Sequence, residues 1–225
     1  MKSSTSHLLS RTFEPKTFRL AYEKSPVFFS SVNDNDSAIR KLLKKYIGED
    51  SELLEPDAHE ELAYGNARII HKTFTLSRQG NGRFSDGKQG AWYCARDCDT
   101  AIDEAAYQQM RRMDRSNGKK SGVYTDEVIF KELFAKITGK FYHTALPRDK
   151  DVLGTEPKKA YPLGQELAHK IVRAGGQGII YSSVRRSGGV CLAVFDPESI
   201  QNVEVAARWK ISWNGSRRYT PERID

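Results

Sequence analysis

Gly82–Glu104 reads GRFSDGKQGAWYCARDCDTAIDE, and the fold turns on how this run is taken. A glycine, four residues and then Gly87-Lys88 reproduce the letter spacing of a P-loop, whose backbone amides cradle phosphates at the start of a helix. That loop needs Ser or Thr after its lysine to hold magnesium, and a helix beginning there. Here Gln89 follows Lys88, and the next residues, GAWYCA, are aromatic and extended in character. Nor is there a GxGxxG: Gly80, Gly82 and Gly87 do not fit it, and Gly175, Gly176 and Gly178 read as a helix stop and turn. The run is instead the end of a glycine-rich loop, Ser77 to Gly90, then a short strand, AWYCA, then a helix, DTAIDEAAYQQMRRM. Ile102, Ala105, Ala106, Met110 and Met113 share one face of that helix, and Asp99 or Thr100 is available to cap its first amides.

Before the loop, ARIIHKTFTL (Ala67–Leu76) is β-branched and aromatic with partial alternation and reads as a strand. After the helix, Glu127 to Leu146 favours strands, and PRDKDVLGTEPKK reads as a loop. Pro162 then opens a helix on which Leu163, Leu167, Ile171 and Ala174 align, ending at Gly175-Gly176. GIIYSSV and VCLAVFD form a pair of strands, and VEVAARWKISW a last one. Strands interrupted irregularly by a few helices predict an α+β fold with short mixed or antiparallel sheets. Residues 1–62 read as a partly helical extension to a main domain spanning 63–225. Within the extension, Asp36 or Ser37 caps a helix carrying Ile39, Leu42, Leu43 and Tyr46, with Gly48 as its stop.

A hydrophobic share of 38% with 29% charged residues excludes a disordered chain of these 225 residues. No window holds the roughly 18 apolar residues of a membrane helix, and MKSSTSHLLSRTF lacks the apolar centre of a signal peptide, so the expectation is a cytoplasmic protein without a membrane partner. Cys94, Cys98 and Cys191 are an odd number without CxxC spacing, and His59 opens HEELA without a second histidine. We therefore expect buried thiols, no disulfide and no metal. The net charge of +7 points to an anionic partner. Its basic clusters, RRMDRSNGKK (Arg111–Lys120) and ARWKISWNGSRRY, read as a solvated loop and an exposed strand, with a nucleic-acid surface as the alternative.

What remains is Arg83 on the loop, Tyr93 on the strand ten residues later, and Glu104 in the helix eleven beyond that. Singly these are a surface cation, a core aromatic and an acid favoured by the helix dipole. Together, GRF, WY and TAIDE resemble the signature of RES-domain proteins, toxins of bacterial toxin-antitoxin pairs named for an arginine, a glutamate and a serine. GIIYSSVRRSGGVCLAVFDP is similar to the family's closing motif, so the resemblance runs from about Arg68 to Pro197. It implies an ADP-ribosyltransferase-like fold and a site built from Arg83, Tyr93, Glu104 and Ser183, with Ser182 the alternative by one register. It also makes Arg68 the candidate for the family's early-strand arginine and gives Arg185 a supporting role in binding. The substrate it implies is NAD+, cut between nicotinamide and ribose, with water, phosphate or a protein side chain as acceptor. The partner it implies is a small helix-turn-helix antitoxin. Rival expectations are a basic nucleic-acid-binding module and a catalytically dead interaction protein.

Overall fold

In the computed structural model, residues 8–24, 37, 58–116, 125–144 and 150–225 are described. In chain order the elements are β1 (Leu8–Tyr22), α1 (Ala58–Gln79), β2 (Trp92–Ala95), α2 (Cys98–Ser116), β3 (Thr125–His143), α3 (Pro157–Arg173), β4 (Gly178–Ser182), β5 (Val190–Val194), β6 (Ile200–Asn214) and β7 (Tyr219–Arg223). Single 3-10 turns precede α3 and β6. The fold is α+β.

All strands share one mixed sheet in the order β1-β2-β5-β4-β3-β6-β7, and β1 also pairs with β3. That extra pairing makes a closed ring of β1, β2, β5, β4 and β3. The long strand β3 makes this possible by dividing its edges. One edge runs antiparallel to β1, from Leu8↔Tyr142 to Tyr22↔Phe130. The other edge pairs with β6 over Thr125–Ile137 and with β4, in the sheet's parallel step, over Phe141–His143. Closure on the far side is thin, a single register pair Phe18↔Ala95 between β1 and β2. β6 and β7 leave the ring as an antiparallel arm.

Ring strands are covered on both faces, which explains why VCLAV is apolar throughout instead of alternating. On β5, Leu192 and Val194 join a cluster with Ile70, Phe74, Trp92 and Phe141. Cys191 and Ala193 point to the opposite cluster, with Phe84, Ile171, Ile179 and Tyr181. A third cluster, Ile102, Ala106, Met113, Val128, Ile211 and Trp213, seats α2 on the arm.

Three local readings are corrected. ARIIHKTFTL is not a strand but lies within α1, because Ala67, Ile70 and Phe74, all buried, recur at helical spacing against the sheet. Of its two threonines, Thr75 is accommodated by a bond back along the helix, its Oγ1 donating to His71 O at 3.1 Å, while the buried Thr73 Oγ1 has no partner among the described residues. The cap of α2 is Asp97, one turn earlier than Asp99 or Thr100 would place it: its carboxylate accepts from Thr100 N at 2.7 Å and Thr100 Oγ1 at 2.8 Å. Helix α3 opens at Pro157, where a missing N–H costs nothing, and Pro162 lies inside it. The segment read as an extension supplies β1 to the sheet and the first turn of α1, so the boundary at 62/63 falls inside that helix. Apart from Ser37, the helix expected from Asp36 to Gly48 lies outside the described residues.

Candidate active site

One face of α2, the concave side of β1 and β2, the Gly80–Ser85 loop, the start of α3 and the β4–β5 turn enclose a cavity of about 870 Å³. Its floor is set by the loop. Tyr93 projects from β2 so that its hydroxyl accepts from Phe84 N at 2.9 Å and donates to Ser85 Oγ at 3.1 Å. Gly82 leaves room for that hydroxyl, since a Cβ there would meet it at 2.7 Å. Arg83, only 7% exposed, lays its guanidinium over the Tyr161 ring at 5.3 Å and donates from Nη1 to Val152 O and, at 3.1 Å, to Gly154 O. Its Nη1 therefore ties the loop to the turn before α3, leaving Nε and Nη2 as donors toward the cavity.

Glu104 sits in the second turn of α2 and accepts from Ser183 Oγ at 2.8 Å. The same Ser183 oxygen accepts from Arg185 N and Arg186 N, both at 3.1 Å, so its single proton is directed at the carboxylate. Of the two serines, Ser183 meets Glu104, while Ser182 is exposed at the end of β4. The Cys191 thiol, 3.8 Å from the same Oε1, is held neutral, its pKa raised by burial and then by the nearby Glu104 charge. Both donors address Oε1, and Oε2 has no partner among the described residues. The β4–β5 turn is pinned to α2 from outside by Arg186, which bridges Asp99 at 2.6 Å and Asp103 at 3.3 Å. Gly189 permits that approach, because a Cβ there would meet Thr100 Oγ1 at 2.6 Å.

Arg83, Tyr93, Glu104 and Arg185 all line this cavity, and Ser183 joins them through Glu104. Arg68 is not brought to it and lies half-buried on α1. Sequence reasoning missed Arg19 on β1, where the available signal was an arginine within the apolar and aromatic run TFRLAY. Its Nη1 donates to Tyr93 O at 2.7 Å, its guanidinium carbon lies 5.1 Å from the Trp92 ring centroid, and its buried Nε has no partner. Burial lowers its pKa to about 10. Arg185 stands 3.3 Å over the Tyr107 ring and also has a buried, unpartnered Nε. Arg19 and Arg185, both half-buried, thus each bring a buried Nε donor without a partner among the described residues to the lining of one cavity, where an anion would satisfy them.

The ionisations of the wall have a consequence for stability. Burial pushes the Tyr93 phenol from 10.0 and the Cys94 thiol from 9.0 up to about 12 each. Groups that hold protons more tightly when folded contribute stability that is complete below the unfolded pKa and is lost as pH rises to the folded one. Arg19, lowered from 12.5 to about 10, acts in the opposite sense and offsets part of the loss. Urea midpoints should therefore fall as pH rises from 9.0 to about 12, and Cys94→Ala should reduce the early part of that decline, which the raised thiols of Cys98 and Cys191 share. A flat profile would contradict the burial of both groups.

The basic stretches divide. Arg111, Arg112 and Arg115 belong to α2 and border the cavity, so this part of the stretch is helical and not the loop expected, with Arg112 and Arg115 exposed. On the arm, Arg208 pairs with Glu23 at 2.8 Å, Lys210 with Glu222 at 2.6 Å and Arg217 with Asp114 at 3.4 Å, and Trp213 is buried, so most of that cluster's charge is paired in place. Among the described residues no group of three or more His, Cys, Asp or Glu is placed to hold a metal, and no helix is long and apolar enough to cross a membrane. The cysteines are free thiols.

An α+β ring with a carboxylate-serine pair on the wall of an arginine-lined cavity is the class of protein that this geometry defines. A family model, the RES domain, matches residues 60–214, and the chain belongs to that family. Arg83, Tyr93, Glu104 and Ser183 fall inside the match, and Arg19 outside it. No curated protein matches the chain. Among solved structures it is similar to one titled "Crystal structure of the M.tuberculosis MbcT-MbcA toxin-antitoxin complex", at 12% identity and a TM-score of 0.44, covering 92% of this chain and 88% of that one.

Proposed function

We propose that this RES-domain protein is a toxin that breaks the bond between nicotinamide and ribose in NAD+, with water or phosphate as acceptor. The observation that supports this best is Glu104, fixed by Ser183 with one carboxylate oxygen left over, in a cavity whose other charged lining residues are all cationic. In the reaction the C1′–N bond breaks with its electron pair going to the nicotinamide nitrogen, which becomes neutral while the ribose becomes cationic. A carboxylate beside that sugar is more stabilising in the transition state than in the ground state, where the positive charge still resides on the departing ring. Attack by water then yields ADP-ribose and a proton alongside nicotinamide.

Arg19, Arg83 and Arg185 have the donors to hold the diphosphate, and guanidiniums suit phosphate oxygens geometrically. The Tyr93 hydroxyl is engaged with the loop, so its part is to shape the floor instead of holding the ribose. A protein acceptor would use the same site, but nothing in the cavity selects one. The nucleic-acid alternative loses its support with the arm's charge mostly paired. By resemblance, the partner is a small helix-turn-helix antitoxin and the NAD+ pool attacked is cytoplasmic.

Purified protein incubated with NAD+, with and without inorganic phosphate, should release free nicotinamide. The phosphate dependence identifies the acceptor. Release no faster than that of a Glu104→Gln variant would remove the enzymatic reading. Expression in bacteria should arrest growth for wild type and not for the variant.

A further inference from the structure

Along α2, the residues facing the cavity step from Glu104 through Gln108 to Arg111, Arg112 and Arg115, one stripe over three turns. At 1.5 Å per residue, Arg111 lies about 10 Å and Arg115 about 16 Å along the axis from Glu104. If Glu104 marks the bond that breaks, an extended dinucleotide runs along this stripe: diphosphate first, adenosine beyond it. The three arginines then stand beside the adenosine half, where NAD+ carries no charge.

Those arginines are unbalanced. Arg111 Nη1 donates to Tyr161 O–H at 2.8 Å, Arg115 Nε donates to Arg111 O at 3.2 Å, and Arg112 reaches only Gln109 Oε1 at 3.4 Å. None pairs with a carboxylate among the described residues, and Lys158 across the cavity adds another unpaired cation. By contrast, Arg186, Arg208, Lys210 and Arg217 each have an acidic partner. Burial, and then the charge of Arg115, lowers the pKa of Arg112. Three guanidiniums inside five residues, without a carboxylate partner among the described residues, form a cradle for a dianion.

We infer that the cavity is selective for adenine dinucleotides bearing an additional phosphate monoester on the adenosine ribose, with Arg111, Arg112 and Arg115 as the residues that set this preference. The inference rests on the reading of the site as one for a nicotinamide dinucleotide. NADP+ is then the better substrate of the two common forms, and a bisphosphorylated adenosine the better inhibitor than AMP.

The test compares kcat/KM for NADP+ and NAD+ in the full chain, in the wild type and in the Arg111→Gln/Arg115→Gln variant. Wild type should favour NADP+ by roughly tenfold or more, the factor carried by 1.4 kcal/mol. In the variant the ratio should fall toward one, with the loss concentrated in KM for NADP+. In parallel, adenosine bisphosphates with the second phosphate at the 2′ or 3′ position are titrated by calorimetry against the wild type and Glu104→Gln. Tighter binding of either than of AMP, weakened by the double substitution and by salt, supports the cradle and identifies the ribose position. Turnover of NAD+ with a ratio near one in wild type, and no gain in binding from the second phosphate, overturns the inference while leaving the NAD+ reading standing. Absence of turnover of both dinucleotides removes the enzymatic reading, and the binding arm still decides whether the arginine stripe holds a phosphate monoester.

Discussion

Replacing Glu104 by glutamine is expected to slow nicotinamide release by about 100- to 1,000-fold, the range seen when one stabiliser of transition-state charge is removed. The side chain keeps its shape, and the Ser183 hydroxyl, which donates to Oε1 at 2.8 Å, can donate to an amide oxygen as well. What disappears is the negative charge alone. Because that charge acts on a cation that exists only as the bond breaks, the loss should appear in kcat, with KM moving by a small factor. Thermal melting separates this from damage to the fold: the midpoint should stay within a few degrees of wild type. A fall in rate of less than about tenfold would show that the carboxylate is not where the charge develops.

The second large effect is structural. Gly164 faces the loop from α3, and a Cβ placed there would collide with the backbone carbonyl of Arg83 and approach its Cγ at 3.2 Å. Backbone cannot swing aside as a flexible side-chain end does, so Gly164→Ala must separate the helix from the loop. Overpacking of this kind costs about 1–3 kcal/mol. For a chain of this size each kcal/mol lowers Tm by roughly 2–4 °C. Activity should fall as well, since the displaced loop carries Arg83 and receives the Tyr93 hydroxyl. The matched control is Gly65→Ala on α1, where nothing lies within 4 Å of the added carbon. There the same substitution should raise stability by up to about 1 kcal/mol through helix propensity. Equal effects at the two glycines would mean that α3 does not press on the loop.

The parts of this architecture carried by local signals were legible. The loop, strand and helix of GRFSDGKQGAWYCARDCDTAIDE each rest on residues within a few positions of one another: glycines, an aromatic pair and an apolar stripe, though the capping residue was misplaced. The apolar strand pair around RRSGG was legible for the same reason. Where packing overrode propensity, reading failed. Ile69, Ile70, Thr73, Phe74 and Thr75 favour strands on their own, yet the helical recurrence of Ala67, Ile70 and Phe74 is what the sheet buries. Arg19 was invisible for a different reason. Its place depends on β1 pairing with β3, where Arg19 meets Leu133 across more than a hundred residues of chain. Nothing in the neighbourhood of TFRLAY announces that partner. The carboxylate-serine pairing was readable only as two motifs, and their meeting across 79 positions had to come from the fold.

The ring has a temporal corollary. Its first strand leaves the ribosome early but cannot take its place until β3 follows, since Leu8 waits for Tyr142. The final wall comes later still, because β4, the Ser183 turn and then β5 with Cys191 follow the other elements around the carboxylate. Such distant pairings form slowly. The pocket is thus complete only once the chain from β1 through β5 has been synthesised.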